Sequence, residues 1–155
     1  ESAEVPRYNF SDLPTHIDYV VLTHNHQDHV MFETLLQLRH KIKNIVVPRN
    51  QPGFLGDPSL KLILQQTGFS SIIELNEFDT ISIDEGNIMA LPFFGEHSYL
   101  NIQSKLSYNI KIKNKNFNFK NDFRAVFAVV VNFEFRINYR IAAVEVRIIV
   151  SVDVR

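Results

Sequence analysis

Ile17-Asp18-Tyr19-Val20-Val21-Leu22-Thr23-His24-Asn25-His26-Gln27-Asp28-His29 joins a short apolar run directly to a loop holding three histidines and an aspartate. The run from Ile17 to Leu22 predicts a buried strand. On an extended segment, residues two apart point the same way, so His24 and His26 can converge on one metal ion. Asp28 and His29 lie past that point, where a turn can direct them at a second ion. Imidazole and carboxylate donors without thiolates suit zinc, iron or manganese. The end of a buried strand that opens into a helix is also where α/β sheets place their ligand sites.

Downstream, Met31, Leu35, Leu38 and Ile42 recur at helical spacing, with Glu33, Gln37 and Lys41 between them. This predicts an amphipathic helix packed on a sheet. Ile45-Val46-Val47-Pro48 predicts the next strand, stopped by proline, and a loop rich in Pro and Gly runs from Arg49 to Pro58. Ser59 caps a predicted helix through Gln66, and Gly68 stands where a helix C-terminus favours it. Strands are predicted from Ile72 to Leu75, Thr80 to Ile83 and Ile88 to Leu91, the last two joined by the turn Asp84-Glu85-Gly86-Asn87. Leu106 to Lys113 and Phe117 to Phe119 flank an Asn-rich turn and predict a hairpin. The order of elements predicts an α/β layered domain, a mixed sheet with helices on one face.

The 155 residues suffice for one domain. No apolar run reaches the length of a membrane helix, and no basic stretch followed by an apolar core marks a signal peptide. The formal net charge of −1 does not suggest a polyanionic partner, and no basic groove with interleaved aromatics suggests nucleic acid. Without cysteine the chain can form neither disulfides nor thiolate metal sites, which suits a cytoplasmic protein. The expected partner is a small-molecule substrate, with neither nucleic acid nor membrane indicated. His16 precedes the first strand and His40 lies near a helix end, and both read as structural or solvated.

His24-Asn25-His26-Gln27-Asp28-His29 resembles the His-x-His-x-Asp-His motif of the metallo-β-lactamase superfamily, with its strand and helix in the family's places. The resemblance implies an αββα sandwich with a dinuclear site on its edge, and hydrolysis by a metal-bound hydroxide. In the family a further ligand to the first metal follows Pro-Gly. The matching stretch, Leu91-Pro92-Phe93-Phe94-Gly95-Glu96-His97, offers both Glu96 and His97. A glutamate there resembles the small diiron oxygenase branch of the fold. Asp122, after Phe117-Asn118-Phe119-Lys120-Asn121, occupies the place of the family's bridging aspartate. No histidine follows His97, so the family's last ligand has no counterpart.

The resemblance therefore implies that His24, His26 and Glu96 or His97 hold one ion, and Asp28, His29 and Asp122 the other. Two divalent ions are expected, zinc first, with iron or manganese as alternatives. The leading expectation is a metallo-hydrolase in which Asp28 also orients the hydroxide. The alternatives are a diiron oxygenase on the same fold and a catalytically inactive scaffold domain. Residues 1–122 form the expected core. Residues 123–155 are set apart as a β-rich tail, because this stretch alternates apolar and polar residues yet resembles nothing in the family. All glycines and prolines lie between Pro6 and Gly95, so the tail lacks the usual turn residues. With so little chain before the first strand, the sandwich is expected to be incomplete at both ends.

Overall fold

Apolar, β-branched residues at Ile17, Val20 and Val21 favour an extended segment buried on both faces. The computed structural model places this segment, β1 (Ile17–Val21), in the middle of a five-stranded sheet. The structure describes residues 13–25, 30–50, 58–84, 86–93, 104–113, 115–119, 126–132 and 145–151. After β1 come α1 (Phe32–Leu38), β2 (Ile42–Pro48), α2 (Leu60–Gln66) and β3 (Ile72–Leu75). The three strands run parallel, with Val21 beside Val46 and Val46 beside Ile73. The other half of this sheet is antiparallel: β8 (Val126–Asn132) pairs Val130 with Val20, and β9 (Glu145–Ser151) lies outside it.

Between these halves in sequence come β4 (Thr80–Ile83), β5 (Gly86–Pro92), β6 (Leu106–Ile112) and β7 (Lys115–Phe119). They form a second, fully antiparallel sheet in the order β4-β5-β6-β7. Strand alternation sorts the side chains into two cores. Val21, Val46 and Leu75 face Ile88, Ala90, Leu106, Tyr108, Ile110 and Ile112 across the gap between the sheets. Val20, Leu22, Ile45 and Val47 point the other way and meet Leu35 of α1 with Leu60 and Leu64 of α2. Each fully buried Val, Leu or Ile contributes roughly 1.5–3 kcal/mol. The described residues thus form three layers, α, β and β, of the expected sandwich.

Several boundaries differ from the sequence reading. Ile42 belongs to β2 and not to the preceding helix. α1 stops at Leu38, and Lys41 donates its N–H to the Leu38 carbonyl at 2.8 Å in a tight turn. Met31 lies just outside α1 and is exposed, so the helix is shorter at both ends than its spacing suggested. Pairing of Ile42 with Ile17 outweighs a helical spacing that the residue also satisfies. The later strands make a sheet of their own and do not extend a single mixed one.

β5 begins at Gly86, which pairs with Ile83, so only two residues link β4 to β5. Glycine is required there, because a Cβ would lie 1.9 Å from the Lys111 carbonyl oxygen. Ile112 pairs with Lys115, so only two residues link β6 to β7, the first of them Lys113 at φ 52°.

The caps follow the sequence reading. The Ser59 hydroxyl accepts from the Leu62 N–H at 3.4 Å, and Gly68 leaves α2 at φ 92°. Lys61 of α2 reaches Glu74 of β3 at 2.7 Å. In the link from β3 to β4, Asp79 accepts from the Asn76 backbone N–H at 2.7 Å and from its side-chain amide at 3.0 Å. These bonds, the backbone one first, hold its carboxyl below the ordinary range. The stabilisation they supply is present above the ordinary carboxylate pKa and lost as pH falls through the lowered folded value. No helix among the described residues is long and apolar enough to cross a membrane.

Two substitutions test this architecture. Gly86→Ala forces a methyl into the β6 backbone and is expected to destabilise by about 1–3 kcal/mol or more in urea denaturation. Phe78 is 67% exposed and adopts φ 68°. Phe78→Gly relieves that conformation and is expected to stabilise by up to about 1 kcal/mol.

Candidate metal centre

β1 ends at Val21, but the chain runs on extended through the next three residues, each fastened to a neighbour. Leu22 donates its N–H to Val46 at 2.9 Å, within the first sheet. Its carbonyl accepts from the Tyr108 hydroxyl at 3.0 Å, across the gap from β6. The Thr23 carbonyl accepts the Leu106 N–H at 2.9 Å, and His24 forms an antiparallel bridge with Lys105. Tyr108 is buried, and burial pushes its phenol well above the ordinary pKa, so it remains a protonated donor.

His24 is wholly buried at the end of this tether. Its Nδ1 lies 3.0 Å from the Thr23 hydroxyl. Its ring meets Phe93 edge-on, with centroids 5.4 Å apart and planes at 70°. The ammonium of Lys105 sits 5.7 Å from the centre of the same Phe93 ring. With Nδ1 engaged by Thr23, the solvent-shielded Nε2 is the nitrogen that can be directed at an ion.

Strand direction brings the described strand ends that flank the other candidate segments to this end of the sandwich. β2 is parallel to β1, so both strands finish here. β5 ends at Pro92 opposite Leu106, and β7 ends at Phe119 opposite Tyr108. Phe93, the last described residue before 94–103, touches His24, and Lys105 bridges it just after that segment. The stretch bearing Glu96 and His97 therefore departs from and returns to residues beside His24. In sequence, Asp122 follows three positions after Phe119, where β7 ends. The connection after β2 is tied in as well: Asn50 donates to the Ser104 hydroxyl at 2.9 Å, and Asn25 to the Pro58 carbonyl at 3.3 Å.

Of the candidate ligands, His24 is described, whereas His26, Asp28, His29, Glu96, His97 and Asp122 lie outside the described residues. Among the described residues, no three His, Cys, Asp or Glu side chains gather as a metal group. His16 lies 3.6 Å from Asp18 before β1, at the opposite end of that strand. His40 falls in the exposed turn after α1. A buried, oriented imidazole beside segments rich in histidine and carboxylate is a donor set that iron accepts, and the chain has no thiol to compete.

The sequence reading missed the groups that hold His24: Thr23, Phe93, Lys105 and Tyr108. A signal existed for Tyr108. It shares the buried face of an alternating strand with Leu106, Ile110 and Ile112, where a phenol needs a partner.

No family model matches the chain. It is 44% identical over 105 residues to the 4-amino-L-phenylalanyl-(CmlP-peptidyl-carrier-protein) 3-hydroxylase of Streptomyces venezuelae, a match covering 68% of the chain and 20% of that protein. The crystal structure of CmlA, a diiron β-hydroxylase from the same organism, superposes with a TM-score of 0.69 at 42% identity, over 73% of this chain and 22% of the other. Its E377D mutant gives a TM-score of 0.70 at 39% identity, over 77% and 24%. The chain thus spans less than a quarter of the length of these relatives.

These relatives correct the leading functional expectation. They are hydroxylases, CmlA a diiron one, so neither the metallo-hydrolase reading nor zinc as the first choice of metal stands. The physical reason is that the histidine loop supplies donors for either chemistry, and its spacing does not distinguish activation of water from activation of oxygen. The chain belongs to the metallo-β-lactamase superfamily, in the branch that contains the diiron β-hydroxylase CmlA.

Proposed function

We propose that this chain is the iron-binding part of a diiron oxygenase that hydroxylates an aminoacyl substrate. The observation that carries the reading is its 44% identity over 105 residues to a hydroxylase. The scaffold supports it by seating a buried histidine where the other candidate segments leave the sandwich. In this reading His24, His26 and Glu96 or His97 hold one iron, and Asp28, His29 and Asp122 hold the other. Carboxylates at Asp28, Asp122 and Glu96 make such a set hard, which favours iron over zinc. Asp28 then serves as a ligand, with no hydroxide to orient for hydrolysis.

When bound, the two irons supply oxygen activation. The protein's own residues do the rest: Thr23 orients the His24 ring, Phe93 walls it from water, and the tether to β6 fixes its height above the sheet. The relative acts on an aminoacyl group carried by a peptidyl carrier protein, so a carrier-bound aminoacyl group is the first substrate class to test. The small-molecule part of the substrate is then the aminoacyl group itself.

The test is anaerobic reconstitution with ferrous iron, followed by metal analysis and oxygen uptake with a reductant and an aminoacyl carrier protein. Two irons per chain and substrate-dependent oxygen uptake are expected; stoichiometric zinc with exclusion of iron would overturn the reading. His24→Ala separates ligand from packing. It is expected to lower iron retention and also to destabilise the chelator-treated protein by about 2–4 kcal/mol, because the ring is buried against Phe93. His26→Ala is expected to lower iron retention as well, read by the same metal analysis.

A further inference from the structure

We propose that the hydroxyls of Tyr108 and Thr23 are positioning groups that fix His24 for the metal, the first through the backbone and the second through the ring. The inference rests on the iron-binding reading above. Leu22 is the residue on which the two sheets meet, its N–H committed to Val46 of the first and its carbonyl to Tyr108 of the second. Tyr108 is 1% exposed within the inter-sheet core, where phenylalanine would fill the same space. The hydroxyl is therefore the part of the side chain that packing does not require, and it is spent on a carbonyl two residues before His24.

Leu106, two residues earlier on the same strand, takes the Thr23 carbonyl. One short stretch of β6 thus holds consecutive peptides of the segment that delivers His24. Thr23, itself 5% exposed, then places its hydroxyl 3.0 Å from Nδ1. That contact sets which edge of the imidazole faces away, much as outer groups orient metal-binding histidines generally. Neither hydroxyl reaches the reacting atoms, so both are positioning residues.

A purely structural role makes a different forecast. Metal that binds the folded state raises the melting temperature by mass action. A hydroxyl that only supports the fold lowers the melting temperatures of the metal-free and iron-loaded protein alike. A positioning hydroxyl instead narrows the gap between them.

The experiment compares Tyr108→Phe, Thr23→Val and Thr23→Ser with the unaltered chain, using ferrous iron alone as the probe under anaerobic conditions. Tyr108→Phe and Thr23→Val are expected to keep the circular dichroism of the parent. Their iron dissociation constants should rise by roughly 10- to 100-fold. The iron-dependent gain in melting temperature should shrink, and the optical spectrum of the bound iron should shift. Thr23→Ser should restore all three.

Parental iron affinity and spectrum in both variants, with equal loss of melting temperature with and without iron, would overturn the inference. An effect in one variant alone assigns the role to that hydroxyl and overturns it for the other. If Tyr108→Phe does not fold, the Thr23 pair decides. Failure of the unaltered chain to take up iron removes the metal reading, and this inference with it.

Discussion

Two hydrogen bonds cross the gap between the sheets at the exit of β1: Tyr108 to the Leu22 carbonyl and the Leu106 N–H to the Thr23 carbonyl. Each is worth about 1 kcal/mol net, small beside the apolar burial on either side. Their importance is positional. Apolar packing between sheets sets a spacing but allows sliding, whereas a hydrogen bond of fixed length and direction does not. By pinning the segment after β1 to β6, the fold fixes His24 against Phe93 and Lys105, and hence against both ends of the stretch that bears Glu96 and His97. In the proposed reading the ligands come from three separate connections and need such a common reference, since ligands must be held to a fraction of an ångström.

Much of the scaffold was legible because its strands and caps carry strong local signals. The run before His24, the proline that ends β2 and the Ser59 cap of α2 each read correctly from chemistry close in sequence. Ile42 did not, because spacing of three and four residues satisfies a helix even where a parallel partner claims the residue. Gly86 misread as a turn residue for a related reason. Its need for glycine comes from the Lys111 carbonyl of another strand, not from its own φ. Turn chemistry and close approach leave the same mark on a sequence.

The superfamily was legible in the histidine loop, and the reaction was not. Histidines two apart after a buried strand announce a metal, and carboxylates nearby extend the set. Reaction class depends on metal identity and on how oxygen or water reaches it, which depends on segments that carry no regular pattern. Glu96 was the residue that hinted at iron, through its place after Gly95, where the family has histidine, and not through any periodicity. The supporting groups were harder still. Thr23, just past β1, and Tyr108, within β6, look ordinary until the sheets are stacked, when their hydroxyls are seen to be committed to Nδ1 of His24 and to the carbonyl of Leu22.

The sheet order β3-β2-β1-β8-β9 carries a kinetic consequence. β1 to β3 and their helices are contiguous in sequence and can assemble early, but one side of β1 waits for β8, with the whole second sheet intervening. Such distant pairing raises contact order and slows the closing step of folding. During synthesis the nascent chain would hold an open strand edge next to its histidine loop until Val126–Asn132 emerges. That edge is a template for mispairing with other chains. The histidine loop follows the strand that is completed last, so in the proposed reading iron uptake and closure of the first sheet are linked in time.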